Sequence, residues 1–451
     1  MIADLKPYPE YKESGLPWLG QVPGHWDLVP NRGLVRKRKV LVGKDHVNYR
    51  LLSLTKQGVI VRDLSTGKGK FSSDMGTSQE VRNGDLVFCL FDVPETPRTV
   101  GLSRYDGMIT GAYTVFESLG RCSSVYFELF YCAMDDRKLL SPLYSGLRNT
   151  IPAERFLGTK TPLPPPEEQA AIARFLDWAN GRMEHAIRLK RRTIALLNEQ
   201  KQAIIHRAVT RGLDPDAPLK DSGIPWLGEI PAHWEVTRIK NELRCLNTQR
   251  IPLNSVQRGA MTMRAYDYYG ASGVIDKVDE YIFDDELILI AEDGANLVLR
   301  NLPLAIIARG KFWVNNHAHI LKPKRGSIVF LAYVLETLNY KPWISGAAQP
   351  KLTQDRLMSI SISVAPPDEQ VAIVDSVYVQ TRPLQTAISR LEREIDLLRE
   401  YRTRLVADVV TGKLDVREAA ATLPDEDPLG AFAASRDPDP DLETPDDEED
   451  P

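Results

Sequence analysis

Apolar residues recur with a heptad rhythm in two long stretches of the chain. In the later one they are Leu384, Ile388, Leu391, Ile395, Leu398, Leu405 and Val409, spaced by four and three, with Arg402 filling one slot. The slots 201 residues earlier hold Met183, Ile187, Lys190, Ile194, Leu197, Lys201, Ile204 and Ala208. This period, with charged residues on the outer positions, predicts two long amphipathic helices whose seams pack on each other. Each opens on prolines, acidic residues and a glutamine, PPPEEQ at 164–169 and APPDEQ at 365–370. Proline outside and carboxylates in the first turn suit a helix start, where the dipole favours negative charge. Gly181 and Pro383 fall near equivalent places and predict a kink or restart in each helix.

Shorter patterns lie between. NGDLVFCLF (83–91) and DELILIAED (285–293) follow turn residues and predict strands, as do GAYTVFE (111–117) and NNHAHILKP (315–323). SSVYFELFYCAM (123–134) and SIVFLAYVLETLN (327–339) come just after the last two and predict helices.

The pairing of patterns reflects an internal repeat. YKESGLPWLGQVPGHWDL (11–28) returns as LKDSGIPWLGEIPAHWEV (219–236), and PPPEEQAAIARFL (164–176) as APPDEQVAIVDSV (365–377). The two halves share a beginning and an end, while their middles, 30–150 and 238–350, look unrelated. Boundaries follow: 1–165 a first mixed domain, 166–213 a central helix, 214–366 a second mixed domain, 367–414 a C-terminal helix, and 415–451 a tail. The opening segment is too rich in Pro and Gly for regular structure, so Trp18 and Trp26 should anchor it on a core. His25 and His233 have no partner in a recognisable catalytic frame and read as packed, hydrogen-bonded histidines.

Charge changes the picture more than composition does. The net charge is −4, but 415–451 holds fourteen acidic and two basic residues, leaving +8 on 1–414. The tail predicts disorder, and the basic remainder permits a polyanionic partner. No apolar run reaches membrane-spanning length and no signal segment opens the chain, so a cytoplasmic location is expected. The four cysteines form no CxxC pair, which argues against a disulfide framework or a zinc ribbon.

Catalytic motifs are missing. There is no phosphate-binding GxxxxGK[ST], no HExxH, no Gly-rich dinucleotide loop and no Asn-Pro dipeptide. His317 with His319 would share a strand face, but no third ligand stands at metal spacing, so no metal is expected. Residues suited to phosphate neutralisation and base-edge hydrogen bonding are plentiful in both middles. The first offers Arg36, Lys37, Arg38, Lys56, Arg62, Lys68, Lys70, Tyr113, Arg148 and Asn149. The second offers Arg250, Arg258, Arg264, Tyr266, Tyr268, Arg300, Asn315, Asn316, His317, Gln349 and Lys351. The loops YSGLRN (144–149) and ISGAAQPK (344–351) add small residues that let backbone approach a ligand.

A twice-repeated unit of Trp-Leu-Gly…His-Trp, variable middle, Pro-Pro-x-Glu-Gln and long helix resembles the specificity subunit of type I restriction-modification systems. The resemblance covers 11 to about 414, and FWVNNHAHIL (312–321) adds to it. It implies an α+β chain: two target recognition domains related by a pseudo-two-fold axis, separated by two long antiparallel helices in a coiled-coil-like spacer. Each domain would read one half of a bipartite site in double-stranded DNA. The chain would be non-catalytic and hold no cofactor. Two modification subunits would carry S-adenosylmethionine, and a motor-nuclease subunit using ATP and magnesium is the further partner. From Met183 to Ala208 a helix rises about 38 Å, close to one turn of B-DNA at roughly 34–36 Å. A protein-binding scaffold with the same helices, or an independent enzyme, are the competing readings.

Overall fold

The computed structural model describes residues 5–62, 75–346 and 350–424. Contacts divide them into two units. One holds the residues up to Lys190 together with those from Arg393 onward, and the other holds Arg191–Glu392.

The sheet of the first unit is built from β1 (Val35–Arg38), β2 (Leu86–Phe88), β3 (Val100–Leu102) and β4 (Thr114–Ser118). The strands are antiparallel in the order β1-β4-β2-β3. Alternation along the strands gives the sheet two apolar faces. Phe88 and Phe116 face helix α1 (Ser124–Asp136) and pack with Phe127, Tyr131 and Phe156. Val87 and Val115 face the other way, into a second cluster with Leu52, Val59, Val81 and Ile109.

Helix α2 (Pro166–Arg211) follows, and runs unbroken through Gly181. The second unit then adds β5 (Leu243–Cys245), β6 (Tyr266–Gly270), β7 (Gly273–Val278), β8 (Phe283–Ala291), β9 (Ala305–Val314) and β10 (Ala318–Pro323). Their order is β5-β10-β8-β9-β6-β7, with β6 and β9 parallel. Ile288 and Ile290 face α3 (Ile328–Thr337), and Leu287 and Leu289 line the opposite face. The final long helix, α4 (Pro367–Val410), also runs unbroken, with Pro383 inside it. Of the kink or restart expected at Gly181 and Pro383, the restart does not occur, since each helix continues through the residue.

The middles that share no visible sequence share a topology. The order β1-β4-β2-β3 in the first unit matches β5-β10-β8-β9 in the second, and each sheet is followed by a helix on one face. The units differ in what is added at the far edge. In the first these are the hairpin Leu52–Thr55 with Gly58–Val61 and the pair Gln79–Val81 with Gly107–Ile109; in the second they are β6 and β7.

Each unit also contains half of each long helix. In the first, Ile172, Phe175, Leu176, Ala179 and Met183 of α2 share a core with Leu405, Ala407, Val409 and Val410 of α4. In the second, Ile205, Ala208 and Val209 share one with Ile373 and Val377. Of the seam, Met183, Ile187, Ile388, Ile395 and Leu405 are buried. Ile194, Leu197, Ile204, Leu384, Leu391 and Leu398 are half-buried. The three cationic slots each find an acceptor on the opposite helix. In the first unit Arg402 reaches Glu184 at 2.7 Å and Lys190 reaches Glu394 at 2.5 Å, so α2 and α4 run antiparallel there. In the second, Lys201 donates to Gln385 at 2.7 Å. Lys201 and Arg402 are repeat equivalents, and so are Gln385 and Glu184. The same cross-helix bond is therefore made once in each unit.

Candidate nucleic-acid interface

The frame beneath the interface is set by the repeated motifs. Glu168, at the start of α2, is buried and accepts from the Trp26 indole at 2.8 Å, from the Tyr8 hydroxyl, and from His25 at 2.8 Å. Burial, then the bond to Glu168, pushes the Tyr8 phenol well up. Glu369, at the start of α4, takes Trp234 at 3.0 Å and His233 at 2.7 Å. The next residue has its own task. Gln169 accepts from Ser123 N at 2.7 Å and donates to Pro164 O at 2.8 Å. Gln370 makes the same pair of bonds with Ser327 N and Ala365 O, both at 2.8 Å. Each glutamine thus ties the N-cap of α1 or α3 to the start of a long helix. Both histidines are hydrogen-bonded as expected but exposed rather than packed, with side chains 41% and 52% accessible, and their acidic partners, over 130 residues away, are invisible in sequence.

On this frame, the first unit forms a braced joint where β2 ends. Arg148 donates to Asp92 through Nη2 at 2.7 Å and Nε at 3.3 Å, and its carbonyl accepts from Asp92 N at 3.0 Å. Asn149 is exposed beside it, and Tyr113 packs on Phe91 with ring centroids 6.2 Å apart. Other candidates are scattered. Lys37 and Lys56 are exposed, Arg36 pairs with Glu117, and Arg62 is half-buried. Arg38 is turned inward between Glu80, at 2.7 Å, and Asp85. Lys68 and Lys70 lie outside the described residues. A cleft lined by Asn48, Tyr49, Arg50, Asn83, Arg104 and Tyr105 carries no motif visible in sequence.

The equivalent joint in the second unit gathers more of its candidates. Glu292, at the end of β8, takes Arg250 at 2.6 Å and Lys351 at 3.4 Å. Burial alone would raise the Glu292 carboxyl, but Arg250 and Lys351 hold it below its ordinary value. Asp293 takes His317 Nδ1 at 2.9 Å, the buried Asn315 side chain accepts from His317 N at 2.8 Å, and Asn316 is exposed. His319 is fully buried. Asn247 Oδ1 accepts from Ile320 N at 3.0 Å, which points its Nδ2 at His319 Nδ1, 2.8 Å away. Nε2–H is then left to donate to Leu352 O at 2.7 Å. The ring is neutral in this arrangement, and burial lowers its pKa accordingly. Among the described residues, no group of three or more His, Cys, Asp and Glu side chains could hold a metal ion.

The remaining candidates serve the fold. Arg258 and Arg264 both reach Asp276, and Arg258 also lies over the Tyr268 ring. Tyr268 is buried, with its hydroxyl on Leu253, and Tyr266 packs on Tyr281. Arg300 adopts a left-handed backbone and donates to the Glu336 and Leu338 carbonyls at the end of α3. Gln349 lies outside the described residues.

Comparison with known proteins places this architecture. Residues 231–389 match the profile of the type I restriction modification DNA specificity domain. A type I restriction enzyme specificity subunit of Methanocaldococcus jannaschii is 23% identical over 284 residues, 58% of this chain and 64% of that protein. A Haemophilus influenzae protein named for the same specificity role is 36% identical over 131 residues, 29% of this chain and 32% of the relative. Residues 231–389 are therefore similar to the type I DNA specificity domain, and both relatives are named as specificity subunits. The chain spans between a third and just under two thirds of the length of these two relatives. A solved chain from work on assembly of the type I R-M system shares the fold, at a TM-score of 0.56 and 12% identity. That match covers 86% of this chain and 98% of the other. The specificity-domain profile falls on the second half, and the internal repeat extends the same construction to the first. No helix among the described residues is long and apolar enough to cross a membrane.

Proposed function

We propose that this chain is the DNA-reading subunit of a type I restriction-modification complex in the cytoplasm, with each unit reading one half of a bipartite duplex site. One observation carries the reading. Two units with the same strand order and the same Trp-His-Glu frame hold different polar residues at the same joint. A shared frame with divergent tips is what two readers of two different half-sites require. Exposed Lys37, Lys56 and Lys351 grip phosphates, which makes binding fall steeply with salt. Arg148, Asn149, Asn316 and His317 reach base edges. Arg38, Tyr268 and Arg300 support these residues from within.

The paired helices set the distance between half-sites, and the repeated motifs dock two modification subunits. S-adenosylmethionine and methyl transfer belong to those subunits, while ATP and magnesium belong to a motor-nuclease subunit. This chain is non-catalytic. The test is methylome sequencing of a host expressing the chain with its modification subunit. The expected result is one motif of two short half-sites with a fixed gap. A continuous motif, or methylation independent of this chain, rejects the reading.

A further inference from the structure

The joint at Asp92 carries one residue with no internal role. Residues 145–150 form a closed hairpin: Ser145 and Thr150 exchange backbone bonds at 2.8 and 3.0 Å, and Asn149 N bonds to Gly146 O at 3.3 Å. The hairpin is braced from behind, because Ile151 N donates to Leu90 O at 2.7 Å and Arg148 is held through both its carbonyl and its guanidinium by Asp92. At the tip, Leu147 has a relative exposure of 104%. A single exposed leucine means little in itself. This one stands on a loop whose ordering is already complete, so a partner meeting it has little conformational entropy to remove.

The backbone around it is strained. Asp92 (φ 46°) and Asn149 (φ 43°) both occupy the left-handed region, two of the five non-glycine residues that do so among those described. Asp and Asn are the side chains that best tolerate this conformation, and such positions cluster where geometry serves a function. Nothing in the packing of the first unit needs the tip, since Leu147 touches none of its core.

The second unit builds the same device. Ser345 and Lys351 exchange backbone bonds at 2.9 and 2.7 Å, Leu352 N donates to Glu292 O at 2.8 Å, and Gly294 N to Pro350 O at 3.1 Å. The intervening sequence differs, Gly-Leu-Arg-Asn in the first unit against Gly-Ala-Ala-Gln-Pro in the second. A shared brace that carries different sequences is where two readers of different half-sites must differ.

We propose that Leu147 is a specificity-determining residue, pressed against the base pairs of duplex DNA by the braced hairpin 145–150. This inference rests on the DNA-reading function proposed above. The apolar side chain meets a thymine methyl group or the face of a base step, while Arg148, held by Asp92, lies against the adjacent backbone or base edge. Leu147 itself adds nothing to phosphate neutralisation. Its contribution is therefore confined to the correct sequence and is independent of salt.

The experiment uses the full chain assembled with its modification subunits. Affinity is measured across a salt series for a duplex carrying the methylome-mapped motif and for a scrambled duplex of the same length. Leu147→Ala is expected to weaken binding to the motif duplex about tenfold, within the range for one base contact, with the scrambled duplex and the salt slope unchanged. Leu147→Met should restore most of the loss, and Leu147→Ala should relax the mapped motif in one half-site only. Because the side chain is fully exposed, the variant should keep its Tm. Unchanged affinity for the motif duplex, or an equal loss on both duplexes, overturns the proposal. A wild-type complex that binds neither duplex overturns the DNA-reading function as well, which separates the two failures.

Discussion

The Trp26 indole donates to Glu168 at 2.8 Å across 142 residues of chain, and Trp234 donates to Glu369 at 3.0 Å across 135. These bonds join the opening segment of each half to its closing helix. They close each unit around its variable middle, which explains why only the ends of the halves need to repeat.

The two closures are unequal. Glu168 is 3% exposed and serves three donors, whereas Glu369 is 24% exposed and serves two. Removing a buried acceptor leaves its donors unsatisfied at about 1–3 kcal/mol each. Glu168→Ala should therefore destabilise the first unit by roughly 3 kcal/mol, and Glu369→Ala the second by less. Chemical denaturation of both variants gives the comparison, and equal losses would show that burial does not govern the bond.

Glycines close the long helices against the same tryptophans. A Cβ on Gly412 (φ +77°) would stand 2.3 Å from Pro23 Cδ and 3.0 Å from Trp26, against the rigid proline ring and a buried indole. A Cβ on Gly212 (φ +74°) would meet the Glu369 side chain first, at 3.1 Å. Both substitutions strain the backbone, but only the first also displaces a packed proline and tryptophan. Gly412→Ala is expected to lower the Tm of the first unit more than Gly212→Ala lowers that of the second. A reversed order in calorimetry would contradict this packing.

His319 makes the second unit acid-sensitive. Its folded pKa lies below the ordinary value near 6.5, because burial and the Asn247 bond require the neutral ring. The unfolded chain therefore binds more protons as pH falls below about 6.5, and stability falls with it. Above that pH the contribution is fully present. Arg250 and Lys351 oppose protonation and Glu292 favours it, with burial the largest influence. Urea denaturation between pH 7.5 and 5.5 should show this loss, and His319→Gln should flatten it. An unchanged slope in the variant would assign the acid sensitivity to other groups.

The elements were legible because period reveals them. The heptad slots and the helices α1 and α3 carry a local repeat that burial imposes on sequence, and β2 and β8 show as continuous apolar runs because both their faces are buried. Partnership across the fold carries no such mark. Arg38 looked like a phosphate contact because nothing in VRKRK announces that Glu80 and Asp85 will enclose one of its five residues. Arg300 and Tyr268 were misleading for the same reason, since a polar side chain reads alike whether it meets solvent or a carbonyl. Leu147 failed to stand out in the opposite sense. An apolar residue in a loop suggests a buried anchor, and only the braced hairpin shows it standing free. The common strand order of the middles was hidden because burial fixes hydrophobic character at each position and leaves the identity of the residue open.

The central claim is that the helices measure the gap between two independently read half-sites. Lys190 faces Glu394 and Lys201 faces Gln385, so a change between 190 and 201 must be matched between 385 and 394 to keep the seam. Inserting one heptad in both places adds about 10 Å of helix, close to three base pairs at about 3.4 Å each. Methylome sequencing of a host carrying this variant is the most direct measurement. The account predicts the same two half-sites with the gap lengthened by about three base pairs. An unchanged gap, or half-sites of altered sequence, would contradict it.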